Sequence, residues 1–183
     1  IIVIIVIRII RLKIAREIFP EFHLSGKSSG IHWQYLTQSR CAEATAGFYM
    51  TNGNNGYDDI AKMFKENNID LCFTCLEMKH VDKKAGKSDP AGLVGDILKV
   101  ALDNGLKFEG ENAIERYYWS AFNQVLSWTA KGLKEFTFLR MSSKLLDRKV
   151  TWKVFRRFVE LMHDPKRPAG KNDDEVVEED FDE

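Results

Sequence analysis

The chain reads as an α/β protein whose parallel strands are separated by helices, and three observations carry that reading. Strand-like and helix-like stretches alternate four times along the 183 residues, and strands separated by helices run parallel through right-handed crossovers. Ile69–Leu76 (Ile-Asp-Leu-Cys-Phe-Thr-Cys-Leu) is the short apolar run of a buried strand. At Leu106–Phe108 a short strand leads into Gly110, Glu111 and Asn112, with a helix expected to follow at once. That puts a carboxylate where α/β proteins keep their chemistry, just past the C-terminal end of a strand.

Taken in order, Ile1–Ile10 is almost entirely β-branched. Its composition favours a strand and its neighbours a helix, so its state stays open. Arg11–Phe19 reads as helical, with Leu12, Ile14, Ala15 and Ile18 apolar and Pro20 ending it. Leu24–Trp33 reads as a strand that delivers Lys27 and His32 to its end. Ala42–Tyr49 is expected as a short helix, and Asn52–Gly56 as a turn. Tyr57–Asn67 is an amphipathic helix with Tyr57, Ile60, Ala61 and Phe64 on one face, closed by Asn67 and Asn68.

After the Ile69–Leu76 strand, Val81–Asp89 is a polar loop. Ser88-Asp89-Pro90 caps a helix with proline at its first position. Leu93, Val94, Ile97 and Ala101 form that helix's stripe, and Gly105 stops it. A helix through Trp119, Phe122 and Leu126 comes next, then a strand Glu135–Leu139 leading into Arg140. Val154, Phe155, Phe158, Leu161 and Met162 share a face of the last helix. Residues 1–164 are expected to form one folded unit. Residues 165–183 form a linker and an acidic tail, too poor in apolar groups to order itself.

Composition narrows the function classes. Apolar residues make up 44% of the chain, enough for a globular core. The net charge is zero, but Asp173–Glu183 holds eight acids, leaving 27 basic residues against 19 acidic before it. No Lys/Arg cluster is interleaved with aromatics, so no nucleic-acid partner is expected. Arg8 and Arg11 cut the apolar opening run well short of the ~20 residues of a membrane span, so no membrane anchor is expected. Three cysteines are too few for a disulfide framework and suit a reducing, intracellular compartment, cytoplasm or plastid. The chain does not open with methionine and is expected to be a processed product or a fragment.

Four strand ends carry groups able to do chemistry: Lys27 with His32, Thr74 with Glu77, Glu111 with Asn112, and Arg140. In a parallel array all four ends lie on one rim, which would suit a substrate rich in hydroxyls. Each group also has a plainer reading. His32 beside Trp33 is more often a packed histidine, Thr74 can bond its own strand, and Arg140 can simply pair with Glu111. Cys72-Phe73-Thr74-Cys75 is a C-x-x-C, but it lies inside an apolar strand with no second cysteine pair, so neither redox nor metal chemistry is expected from it.

Several longer motifs carry a resemblance. Gly30-Ile31-His32-Trp33, Ala42–Tyr49, Gly56–Phe64, Phe73-Thr74-Cys75-Leu76-Glu77-Met78 and Gly110-Glu111-Asn112-Ala113 resemble the plant beta-amylases in order and spacing over roughly Ile14–Met162. The resemblance implies the C-terminal half of a (β/α)8 TIM barrel that removes β-maltose from the non-reducing ends of α-1,4-glucans with inversion. It implies Glu111 as the general base and Thr74 as the inner-loop threonine that helps hold substrate. It implies Lys27, Gly30 and His32 as a glucan-contacting strand end, and Asn112 and Ala113 as groups lining the sugar subsites. Arg140 matches the arginine on the last strand near the inner loop. No cofactor and no metal is implied.

The chain also departs from the family pattern. Gln34 stands where a second bulky ring is usual, and Glu109 replaces a small residue, Ala44 a leucine and Tyr118 an acidic residue. The general-acid glutamate and the mobile-loop aspartate belong to the first half of the barrel, which these residues do not match. The 183 residues alone are therefore expected to be inactive, and half a barrel to leave two open strand edges prone to association. A non-catalytic glucan-binding relative and a truncated product without function are the alternatives.

Overall fold

The computed structural model describes residues 2–30, 47–51, 53–79 and 88–164, and side chains from Ile9 onward within them. The expectations for His32, for residues 42–46 and for the 165–183 tail lie outside the described residues.

Helix α1 spans Ile2–Ile18, which resolves the opening run as helix. Ile9 and Leu12 pack against the core, and tertiary contact of this kind overrides the weak helix propensity of isoleucine. The chain leaves the helix just before Phe19, the residue whose helical conformation Pro20 disfavours. Strand β1 is Ser25–Ser28. The expected helix does not reach Gly47–Tyr49: Gly47 has φ +84, and Tyr49 accepts a backbone bond from Gly56 N at 3.0 Å. The Asn/Gly turn is the tip of a small antiparallel hairpin, β2 Met50–Thr51 with β3 Asn54–Asn55.

Helix α2 runs Gly56–Glu66, and the Asn55 side chain caps it by accepting from the N–H groups of Tyr57 and Asp58. Strand β4 is Asp70–Phe73, three residues shorter at its C-terminal end than expected. The apolar run continues, but Cys75 takes φ +62 and Met78 N bonds Cys75 O, so the backbone has turned out of the sheet. Helix α3, Pro90–Asp103, starts as predicted, with the Asp89 carboxylate accepting from Gly92 N at 2.9 Å.

Strand β5 is Phe108–Glu111, and helix α4 is Trp119–Thr129. The helix does not begin straight after Asn112. The N–H groups of Ala113 and Ile114 go to a side-chain carboxylate, Arg116 N bonds Ile114 O, and Tyr117 is tied to Arg140, so residues 112–118 follow a bent, anchored path. Strand β6 is Leu133–Thr137, two residues earlier than read, followed by short α5, Ser143–Leu146, and α6, Lys149–His163.

The four main strands form one parallel sheet in the order β1-β4-β5-β6. The register sets Lys27 beside Cys72, Phe73 beside Gly110, and Glu111 beside Thr137. Side chains alternate between two faces. Gly26, Leu71, Phe73, Phe108 and Gly110 face the helices, where the apolar core lies. A Cβ on Gly110 would come within 2.0 Å of the Leu76 side chain, so the strand can approach the turn after β4 only with glycine there. Beyond β6, Phe122 stacks on Phe158 at 4.7 Å, and Phe136, Phe138 and Phe155 close an aromatic cluster under α6. The opposite face carries Ser25, Lys27, Asp70, Cys72, Glu109, Glu111, Glu135 and Thr137. No described helix is long and apolar enough to cross a membrane.

Candidate active site at the C-terminal ends of the strands

Glu111 is the last residue of β5 and is buried, facing away from the helices. Its Oε1 forms an ion pair with Lys27 Nζ, which projects from β1 across the width of β4. The contact is ionic rather than an aligned hydrogen bond, since Oε1 accepts none among the described residues. A buried carboxylate needs such a cation, because desolvation otherwise favours its neutral form. Arg140, the alternative partner read from sequence, is exposed and is not the one: among the described residues it bonds through its backbone, to Asn112 and Tyr117.

The loop that holds Arg140 is braced by Asn112. Its Nδ2 donates to Arg140 O at 2.7 Å and to Ile114 O at 3.0 Å, and its Oδ1 accepts from Arg140 N at 3.0 Å. Tyr117 Oη donates to Arg140 O at 3.0 Å and accepts from Ser142 N at 3.1 Å. The amide of Asn112 is thus a clamp between the ends of β5 and β6, buried at 3% exposure.

Glu77, read with Thr74 as one of the strand-end groups able to do chemistry, has a structural task here. Its Oε1 accepts from Ala113 N at 2.9 Å and Ile114 N at 2.8 Å, fixing the backbone that leaves Glu111. Its Oε2 is buried without a hydrogen-bond partner among the described residues. Burial pushes this carboxyl above its ordinary value, against the lowering effect of those N–H donors and of Arg116. No motif of charge or spacing announces this contact, which joins residues 36 and 37 positions apart.

The remaining predicted residues divide. Ala113 is held at the site through its N–H. Thr74 follows β4 directly and is half-buried. Gly30 lies against the core, where a Cβ would meet Phe73 Cζ at 2.7 Å, so packing alone accounts for glycine there. Cys72 and Cys75 are free thiols, Cys72 on the sheet's polar face and Cys75 buried in the turn. Burial pushes the Cys72 thiol up to about 11, and that of Cys75 higher still, which argues against a reactive thiolate at either.

A family model for Glycosyl hydrolase family 14 matches residues 10–168. The chain belongs to that family. It is 37% identical over 164 residues to "Beta-amylase 2, chloroplastic" of Arabidopsis thaliana, covering 83% of this chain and 30% of that protein. It is 37% identical over 152 residues to "Beta-amylase" of Glycine max, covering 76% of this chain and 30% of that one. The chain therefore spans about three-tenths of the length of the curated relatives it matches. Among solved structures, the catalytic domain of beta-amylase from Paenibacillus polymyxa superposes with TM-score 0.63 at 26% identity, covering 79% of this chain and 34% of that one. The parallel sheet with alternating helices is thus part of an α/β barrel of the beta-amylase type.

Proposed function

We propose that residues 1–164 supply the general-base side of an inverting, α-1,4-glucan-hydrolysing site that releases β-maltose, with Glu111 as the base. The observation that supports it most is the Lys27–Glu111 pair at the C-terminal ends of the strands, which sets a buried carboxylate against a cation on the sheet's polar face. Thr74, Ala113 and the Lys27 strand end are the groups placed to meet the glucan, and His32 joins them by resemblance. Asn112 and Glu77 hold the loops that carry these groups. Arg140 belongs to the frame through its backbone.

Inversion needs a second carboxyl about 6.5–9.5 Å from the first, to protonate the leaving oxygen. Glu77 is buried and spends Oε1 on the backbone that leaves Glu111, and Glu109 is bonded to His23 and Ser25 two residues below Glu111 on its strand, so the acid is assigned to neither. The 183 residues by themselves therefore bind glucan without turning it over, and the acid comes from the part of the barrel these residues do not match. Three of the relatives carry "chloroplastic" in their names, and cytoplasm or plastid is the compartment that fits this chain.

The test joins this chain to the preceding segment of the Arabidopsis relative and follows maltose release from soluble starch. The chimera turns over, and Glu111→Gln lowers its rate by about 10²–10⁴-fold, the range of one positioned acid–base group. The 183-residue chain alone releases no more maltose than its own Glu111→Gln variant. Turnover that survives Glu111→Gln in the chimera would sink the assignment of the base.

A further inference from the structure

We propose that His23, Asp70 and Glu109 form a binding site for one divalent transition-metal ion of the zinc type, at the opposite end of the polar sheet face from Glu111. Glu109 lies on the same face of β5 as Glu111 but two residues, roughly 6.6 Å, below it. Asp70 opens β4, and His23 lies two residues before Ser25, which opens β1. One ligand atom from each of the three residues falls within 4.8 Å of the other two. Imidazole nitrogen with carboxylate oxygens is a donor set that suits zinc and its neighbours better than calcium or magnesium.

What distinguishes the cluster from three neighbouring polar groups is how each carboxylate is held. Asp70 Oδ1 accepts from Lys107 N at 2.8 Å, which leaves Oδ2 facing His23 Nδ1 at 3.6 Å. Glu109 Oε2 accepts from the Ser25 hydroxyl, which leaves Oε1 facing His23 Nε2 at 2.5 Å. Each acid thus has one oxygen anchored by a donor and the other aimed at the ring, the arrangement by which outer partners orient metal ligands.

The charge is also unbalanced. Two carboxylates with side-chain exposures of 20% and 10% share one histidine, and among the described residues no lysine or arginine pairs with either. Lys27, the nearest lysine on this face, is engaged by Glu111. A divalent ion would neutralise the pair. Metal takes a single ring nitrogen, and the His23 side chain, 43% exposed, has room to turn Nε2 to the ion and Nδ1 to water. The fourth position of a tetrahedral ion would then hold water.

The experiment uses the full 183-residue chain, stripped of metal by dialysis against chelator. Zn²⁺ is titrated in competition with a chromophoric chelator, and Co²⁺ is added separately to read its visible absorption. One equivalent of Zn²⁺ binds and raises the melting temperature, Co²⁺ gives the intense bands of a four-coordinate ion, and Ca²⁺ does not compete. His23→Ala and Glu109→Gln each abolish the stoichiometric binding. Ser25→Ala, which removes only the outer partner of Glu109, weakens it about 10–100-fold. The metal-free melt of each variant is measured beside its titration, which separates loss of the ion from loss of the fold. Absence of stoichiometric binding, meaning that His23 serves only as a hydrogen-bond partner of the two acids, overturns the proposal. Binding that persists in His23→Ala also overturns it, because the ion would then be held by other residues.

Discussion

The two faces of the four-stranded sheet are made from the same strands and share almost nothing else. On the helix side, Leu71, Phe73 and Phe108 are fully buried, and the faces of α2, α3 and α4 close over them. A step of one residue along each strand carries the chain to the other side, where Lys27, Asp70, Glu109 and Glu111 stand in rows. Apolar burial, at about 25 cal/mol per Å², makes the first face the source of stability. On the second face Lys27 pairs with Glu111, and His23 stands between Asp70 and Glu109. Cohesion and chemistry are thus separated by the period of the strand, and each face can be perturbed by itself.

The largest expected effect tests that separation directly. Phe108→Ala removes a fully buried ring from the helix side and costs about 3–5 kcal/mol of unfolding free energy. Thr137→Ala, exposed on the polar face beside Glu111, changes it by no more than about 0.5 kcal/mol. Urea denaturation of the two variants decides the matter, and similar losses would mean that the polar face contributes to cohesion after all.

A smaller effect sharpens the comparison where the faces meet, at Glu77. Its carboxyl is raised above the ordinary 4.5, chiefly by burial, so the folded chain holds this proton more tightly than the unfolded one. The stability it contributes is full below that ordinary value and is lost as pH rises through the raised one. Glu77→Gln keeps an acceptor oxygen for Ala113 N and Ile114 N and removes the titration. The difference in unfolding free energy between parent and variant, measured across this range, shifts in the variant's favour as pH rises. Parallel curves would mean that the buried carboxyl does not titrate with folding.

The smallest effect is kinetic. In a Cys41→Ser background near pH 8, both remaining thiols are protonated and react slowly. Cys72, on the polar face, is alkylated first, and Cys75, in the buried turn, only as fast as the chain unfolds. Urea should therefore accelerate Cys75 alone. Equal rates in the absence of urea would show that the turn after β4 opens independently of the core.

Much of the frame was legible because it depends on local pattern. The Tyr57–Phe64 stripe, the Asp89-Pro90 cap and the glycine after α3 are decided within a few residues, and their elements stand where periodicity puts them. The errors fall where a distant group competes for the backbone. Helix α4 starts seven residues past Asn112 because Glu77 takes the first free N–H groups. Strand β4 stops at Phe73 although its apolar run continues, because Cys75 turns the chain. Isoleucine-rich α1 is ambiguous by composition, and packing of Ile9 and Leu12 settles it.

By itself the sequence determined the alternation of strands and helices, the family resemblance that the comparisons bear out, and the place of Glu111 at a strand end. Only the tertiary structure decided the partners: Lys27 rather than Arg140 for Glu111, Asn112 as a clamp between β5 and β6, and His23 brought to Glu109 across 86 positions. The physical reason is range. Periodicity and capping are written in neighbouring residues, whereas an ion pair forms between whichever groups the register of the parallel sheet sets side by side.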